Sequence, residues 1–153
     1  MAISAASMTV TITEAVTLNG AARGNTNTLT LANIHEVVER TVTVPTSEVT
    51  LIAMNTAVAA GTFITGDVKY IRITNKDATN HITLTFKSVG NHEFAVKVDK
   101  GQSFIYNGDI AGGVAATMDA SASALSLALA DLVDITAIAD TAACDVEFMV
   151  ACV

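Results

Sequence analysis

Two cysteines, three histidines and a scatter of aspartates are the side chains of this 153-residue chain best suited to act as nucleophiles, bases or metal ligands. Cys144 and Cys152 lie in ACDVEFMVACV, where Val146, Phe148 and Val150 share their parity. The run therefore predicts a strand with both sulfurs on one apolar face. An extended chain rises about 3.3 Å per residue, which sets the two α-carbons about 26 Å apart, well past the roughly 7 Å that a disulfide spans. Both are expected as buried free thiols, a state that favours folding in a reducing compartment and lacks the basic neighbour and exposure that activate a nucleophile. His35, His81 and His92 begin no His-x-His or His-x-Asp/Glu pair of the kind that lines a metal-holding barrel. His81 shares parity with Thr83 and Thr85 and is expected as an exposed, turn-flanking histidine on a polar strand face, and His92 as an exposed one in the turn VGNHE. Ser103, in GQSF, lacks the G-x-S-x-G elbow that lifts a nucleophile above a sheet. Asp67, Asp77, Asp99 and Asp109 fall at strand ends or turns, where aspartate bonds its own backbone, with a calcium site built from two loops as the alternative. Tyr70 and Tyr106, with Arg72, are either a sugar-stacking patch or two strand-end caps on a core. The residues point to no catalytic, cofactor-binding or metal site, and the expectation is a chain that is not an enzyme.

The elements that would position these side chains are strands. From Tyr70 to Tyr106, KYIRIT, HITLTFK, EFAVKV and QSFIYN alternate apolar with polar residues between polar or glycine-bearing turns, so they read as three or four strands in succession, one side facing a core. Met8 to Leu18, MTVTITEAVTL, reads as one long strand with a threonine face, closed by the turn dipeptide Asn19-Gly20 and a polar loop from Gly20 to Asn27. Strand pattern resumes at Thr28–Ile34, and an irregularity near His35 precedes a further strand that Pro45 closes. Val49–Met54 is apolar on both faces, as in a strand buried between layers, and TFIT between Gly61 and Gly66 reads as a short strand. Leu132–Ala139 and Asp145–Val153, joined by ADTAA, read as a hairpin that returns the C-terminus to the sheet. Gly108–Ala130 is a long, small-residue, weakly charged loop, either extended or partly helical over Ser123–Asp131. With about eight to ten strands and no strong helix, the fold class is all-β, an antiparallel β-sandwich with a jelly-roll-like winding. Residues 8–153 form a single domain, preceded by a possible arm over residues 1–7.

Charged residues make up only 15% of the chain against roughly a quarter in ordinary soluble domains, so part of the surface is expected to be covered by other subunits. The net charge of −7 and the scattering of eight basic residues argue against nucleic acid as a partner. No stretch approaches the roughly eighteen uninterrupted apolar residues of a membrane helix, and residues 1–6 lack the pattern of a secretory leader, so synthesis in the cytoplasm is the expectation. Aromatic residues amount to 5%, too few for a rich ligand-stacking surface.

VPTSEVTLIAM, KYIRITNKDATNHITLTF, FAVKVDKGQSFIYNGD and DITAIADTAACDVEFMV together resemble small β-rich structural proteins of tailed-bacteriophage particles. The likeness rests on the YIRITN-D-TN hairpin, the K-G-Q-S-F turn into a strand and the terminal ADTA hairpin, none of them a catalytic signature. It implies a capsid decoration or cement subunit without cofactor, made in the host cytoplasm and carried on the virion surface as a homo-oligomer, with a trimer as the expected symmetry and the major capsid protein as partner. A head fibre, collar or tail component, or a carbohydrate-binding adhesion module, is the alternative. Two segments are the expected interfaces: the N-terminal one marked by Met1, Ser7, Met8 and Val10, and the small-residue one marked by Gly108, Val114, Met118 and Leu125.

Overall fold

Period-two alternation becomes sheet wherever neighbouring strands satisfy the backbone, and the computed structural model, which describes residues 4–90, 92–107 and 129–153, contains thirteen strands and no helix among them. They are β1 (Ala6–Thr13), β2 (Val16–Leu18), β3 (Ala21–Arg23), β4 (Thr26–Ile34), β5 (Glu36–Val44), β6 (Val49–Asn55), β7 (Phe63–Ile64), β8 (Val68–Asn75), β9 (Ile82–Ser88), β10 (Glu93–Val98), β11 (Ser103–Asn107), β12 (Leu132–Ala139) and β13 (Cys144–Cys152). The strands not expected as separate elements are β2 and β3, each of three residues, while β7 falls within the expected short strand TFIT.

Two sheets carry the body, in the orders β10-β9-β12-β6-β7 and β11-β8-β13-β5, antiparallel except where β6 meets β7. Ile52, Leu84, Phe86 and Ile135 of the first share one core with Ile71, Ile73, Val146 and Phe148 of the second. The alternation is obeyed closely: Ile82, Leu84 and Phe86 are buried, while Thr83, Thr85 and Lys87 are half-exposed. The Phe86 ring stacks on Phe94 at 4.7 Å within its own sheet and meets Phe104 of the facing sheet at 4.9 Å, so one aromatic cluster ties the two layers. The body is an antiparallel β-sandwich.

Its pairings are nested in sequence. The innermost pair is β9 with β10; outside it lie β8 with β11, then β6 with β12, then β5 with β13. This corrects two local expectations. KYIRIT and HITLTFK are consecutive but do not pair, because β8 belongs to one sheet and β9 to the other. The ADTAA segment likewise carries the chain from β12 across to β13 in the facing sheet, so the terminal pair is an arch and not a hairpin. Alternation records which side of a strand is apolar, and a strand in either sheet of a sandwich shows the same pattern.

The N-terminal segment also departs from expectation. The long strand over Met8–Leu18 is split at Glu14-Ala15 into β1 and β2, and the expected loop from Gly20 to Asn27 holds β3 and the start of β4. Asn19 (φ 50°) and Gly20 (φ 78°) form the two-residue turn joining β2 to β3, with the left-handed backbone that Asn-Gly favours. At Gly24 the backbone of Glu14 and Ala15 comes so close that any Cβ would collide with the Glu14 carbonyl. That contact, with the Glu14 N–H donating to the Asn25 carbonyl at 2.9 Å, pinches the ribbon where β1 gives way to β2.

Four crossings between the sheets meet at one end of the sandwich, and the buried Asn75 sits among them. Its side-chain amide donates to the carbonyls of Asn80 (2.9 Å) and Val98 (3.2 Å), its carbonyl oxygen accepts from the Asp77 N–H (3.0 Å), and its own backbone bonds Gln102 and Gly101. Asp77 completes the β8–β9 crossing by accepting from the N–H groups of Thr79 and Asn80, both at 2.6 Å. Two predictions follow from this hub. Asn75→Ala orphans three backbone groups and should lower unfolding stability by about 2–4 kcal/mol in urea titrations; a loss under about 0.5 kcal/mol would show that the crossings hold without it. The backbone donors of Asn80 and Thr79 hold the Asp77 carboxyl below its ordinary value. Its stabilising effect is thus complete above the unfolded value near pH 4 and fades as pH falls through the lower folded value. Melting temperatures of Asp77→Asn should accordingly depend less steeply on pH below about 4 than those of the parent chain.

Candidate functional site

Among the described residues, one set of paired strands lies outside the two sheets of the sandwich. β1 pairs with β4 in a two-stranded ribbon, and β2 with β3 extends it. Its register sets Thr9 opposite Thr30, Thr11 opposite Thr28 and Thr13 opposite Thr26, so six threonines line one face. The opposite face holds Met8 against Leu31, Val10 against Leu29 and Ile12 against Asn27. At its root this apolar face is covered by the molecule itself: Val10 and Ile34 pack with Tyr70 and Ala151 of the outer face of β8 and β13, joined by Met8, Leu31, Met149 and Val153. Beyond the root the cover ends. Ile12 and Leu29 are 40% and 37% exposed, and Val16 and Leu18 further along are 56% and 59% exposed.

The expected interface residues are therefore distributed unevenly. Met8 and Val10 are engaged with the chain's own sandwich, and Ser7 is exposed in β1. Met1, Gly108, Val114, Met118 and Leu125, with Asp109, lie outside the described residues. Sequence reading missed Ile12, Val16, Leu18 and Leu29 as exposed positions, since an alternating strand looks the same whether or not its apolar side meets a core.

Past Tyr70 the outer face of β8 and β13 becomes ionic. Arg72 bonds Glu147 at 2.8 Å and approaches Glu39 at 3.8 Å, and Lys76 reaches Glu147 at 3.4 Å. The Arg72 guanidinium is the main cause holding the Glu147 carboxyl below its usual value. On the other sheet Lys87 and Thr136 both bond Glu48, at 2.7 and 2.6 Å, and hold its carboxyl down in the same way. Tyr70 and Tyr106 form no common patch, because Tyr70 lies under the ribbon while Tyr106 packs against the main core. His81 is half-buried, its Nδ1 3.5 Å from Asp140, where a freely exposed histidine was expected. Asp77 and Asp99 bond the backbone of their own turns, and no three His, Cys, Asp or Glu side chains converge among the described residues. No helix among these residues is long and apolar enough to cross a membrane.

Cys144 and Cys152 are unpaired and buried on the inner face of β13, as their parity predicts. Cys152 borders a cleft of about 430 Å³ that also reaches His35, Glu36, Phe63 and Asp67. Burial pushes its thiol up to about 11, and the carboxylates of Glu36 and Asp67 push the same way. Burial likewise raises Cys144, so neither supplies a thiolate near neutral pH. Maleimide labelling at pH 8 should be at least about 100-fold slower in the native chain than in denaturant, and rapid native labelling of either cysteine would contradict this placement. No protein-family model and no curated protein matches the chain, so its own geometry carries the functional reading.

Proposed function

We propose that the chain is a non-enzymatic virion structural protein, a capsid decoration or cement subunit that stabilises a tailed-bacteriophage head through contacts with copies of itself and with the major capsid protein. The observation that carries this reading is the winding of the sandwich: four nested strand pairs rolled into the orders β5-β13-β8-β11 and β6-β12-β9-β10. That order supports a jelly roll, a winding found in viral capsid and lectin domains. Of these two uses, the lectin one calls for aromatic rings offered to a sugar. Here Phe86, Phe94 and Phe104 stack in the core and Tyr70 is covered by the ribbon, which favours the structural use.

The mechanism is one of buried area. A subunit that bridges lattice neighbours binds the assembled shell and not its separated parts, so it raises the free energy of disassembly by mass action. A contact of about 1,200–2,000 Å² suffices for a specific association. Buried free thiols suit synthesis in the reducing host cytoplasm, and the acidic surface suits a partner other than nucleic acid.

Immunogold microscopy tests the reading. Antibody raised to the purified chain, applied to gradient-purified particles from the phage-producing culture that encodes it, should decorate heads at regular density. Label confined to tails would move the chain to a tail component, and unlabelled particles would sink the virion assignment.

A further inference from the structure

Among the described residues, β4 presents an unpaired strand edge. Among the described residues β1 and β4 are ladder partners only of each other, so each turns a row of backbone N–H and C=O groups outward. Soluble proteins blunt such edges with lysine, proline, bulges or short length. The bulge of this pair lies in β4, where Ala32 and Asn33 (φ 61°) stand between Leu31 and Ile34 against Ser7 alone on β1; ahead of it Thr26–Leu31 runs in unbroken register with no charge and no proline. A two-stranded ribbon standing alone is marginal in water, and this one leaves Ile12 and Leu29 partly bare on its apolar side.

Charge selects the occupant. Residues 4–34 contain one acid, Glu14, and one base, Arg23, so the whole net charge of −7 lies outside the ribbon. A basic protein or a cationic surface would seek the acidic body. Two copies of this chain repel each other body to body and meet without that cost only through the ribbon. The ribbon's apolar side also continues the face that already buries Met8, Val10 and Leu31 on the sandwich, so what covers the remainder needs the same uncharged, β-compatible chemistry.

We propose that β4 of one copy pairs antiparallel with β4 of a second copy about a two-fold axis near Leu29. The contact joins two ribbons into one four-stranded sheet and lets Ile12 and Leu29 of both copies close its apolar side. Such a contact is self-complementary, each residue meeting its symmetry equivalent or a partner that meets it in return. It names the surface behind the self-association invoked above and rests on that reading.

Size-exclusion chromatography with light scattering on the full chain should give an even-numbered, two-copy-based mass at micromolar concentration. Leu29→Lys sets like charges together at the axis and should weaken self-association by at least about tenfold while leaving the main thermal transition in place. Cross-linking supplies a check that does not depend on that variant's folding. Leu29→Cys under mild oxidation should yield a covalent two-copy species, whereas Val58→Cys, on the body and 87% exposed, should not; the native thiols are buried and stay silent. A single-copy mass for the parent chain at about 100 µM, an undiminished mass for Leu29→Lys, or equal cross-linking of both cysteine variants would overturn the proposal. Ribbon pairing in a chain that labels no particle would sink the virion assignment alone, and head labelling by a chain that never self-associates would sink ribbon pairing alone.

Discussion

One buried amide organises the sandwich. Asn75 ends β8 at the point where the chain leaves one sheet for the other, and its side chain bonds Asn80, Val98 and Asp77. An asparagine with no exposed surface is tolerable only when its donors and acceptor are matched, and here the matching groups belong to two different crossings. The amide therefore fixes the β8–β9 crossing relative to the end of β10, and its backbone fixes both to the turn before β11. Asp145 adds the last crossing by accepting from the Lys76 N–H at 2.8 Å, and Thr141 bonds the Asn80 side chain at 2.8 Å. With these crossings set, each strand can reach only the partner that the nested order gives it.

The two ends of the body are consequently unlike. The Asn75 end is closed by polar bonds among short crossings, laid over a buried apolar layer of Val44, Ile82, Val98, Ala139 and Cys144. At the other end the ribbon departs beside His35, whose N–H donates to the Cys152 carbonyl at 2.9 Å, and lies across Tyr70, Met149 and Ala151. The outer face of β8 and β13 thus changes character along its length, apolar under the ribbon at Tyr70 and ionic at Arg72, two residues on. A ribbon root slipped by one residue would turn Met8 and Val10 to solvent and the threonines inward, so this short apolar patch also sets the ribbon's register.

Much of this was legible in the residues and some was not. The inward parity of Ile82, Leu84 and Phe86, the turn at Asn19-Gly20, the break at His35, the stop at Pro45 and the buried thiols follow from local rules, because each depends on a residue and its immediate neighbours. Partner choice does not. TNKDATN and ADTAA have the composition of tight turns, and nothing local separates a turn within a sheet from a crossing between two. The difference lies in Asn75, whose role depends on Val98 and Gln102, more than twenty residues later. The ribbon hid for a related reason: MTVTIT and TLTLANI alternate as any half-buried strand does, and only the tertiary arrangement shows that their apolar side runs past the surface that covers it.

The distribution of polar chemistry leads to the same place. Arg72 is held by Glu147, Glu48 by Lys87 and Thr136, Asp77 and Asp99 by turn backbone, and His81 by Asp140. Each such group helps to hold strands or crossings in place. The ribbon is built the other way: neutral, rich in threonine and, among the described residues, unpaired along its outer edges, with apolar residues at half exposure. Under the proposed pairing, stability rests with a body whose charges engage its own architecture and association with a ribbon whose outer edges are unpaired among the described residues, so a change in how copies meet would leave the sandwich undisturbed.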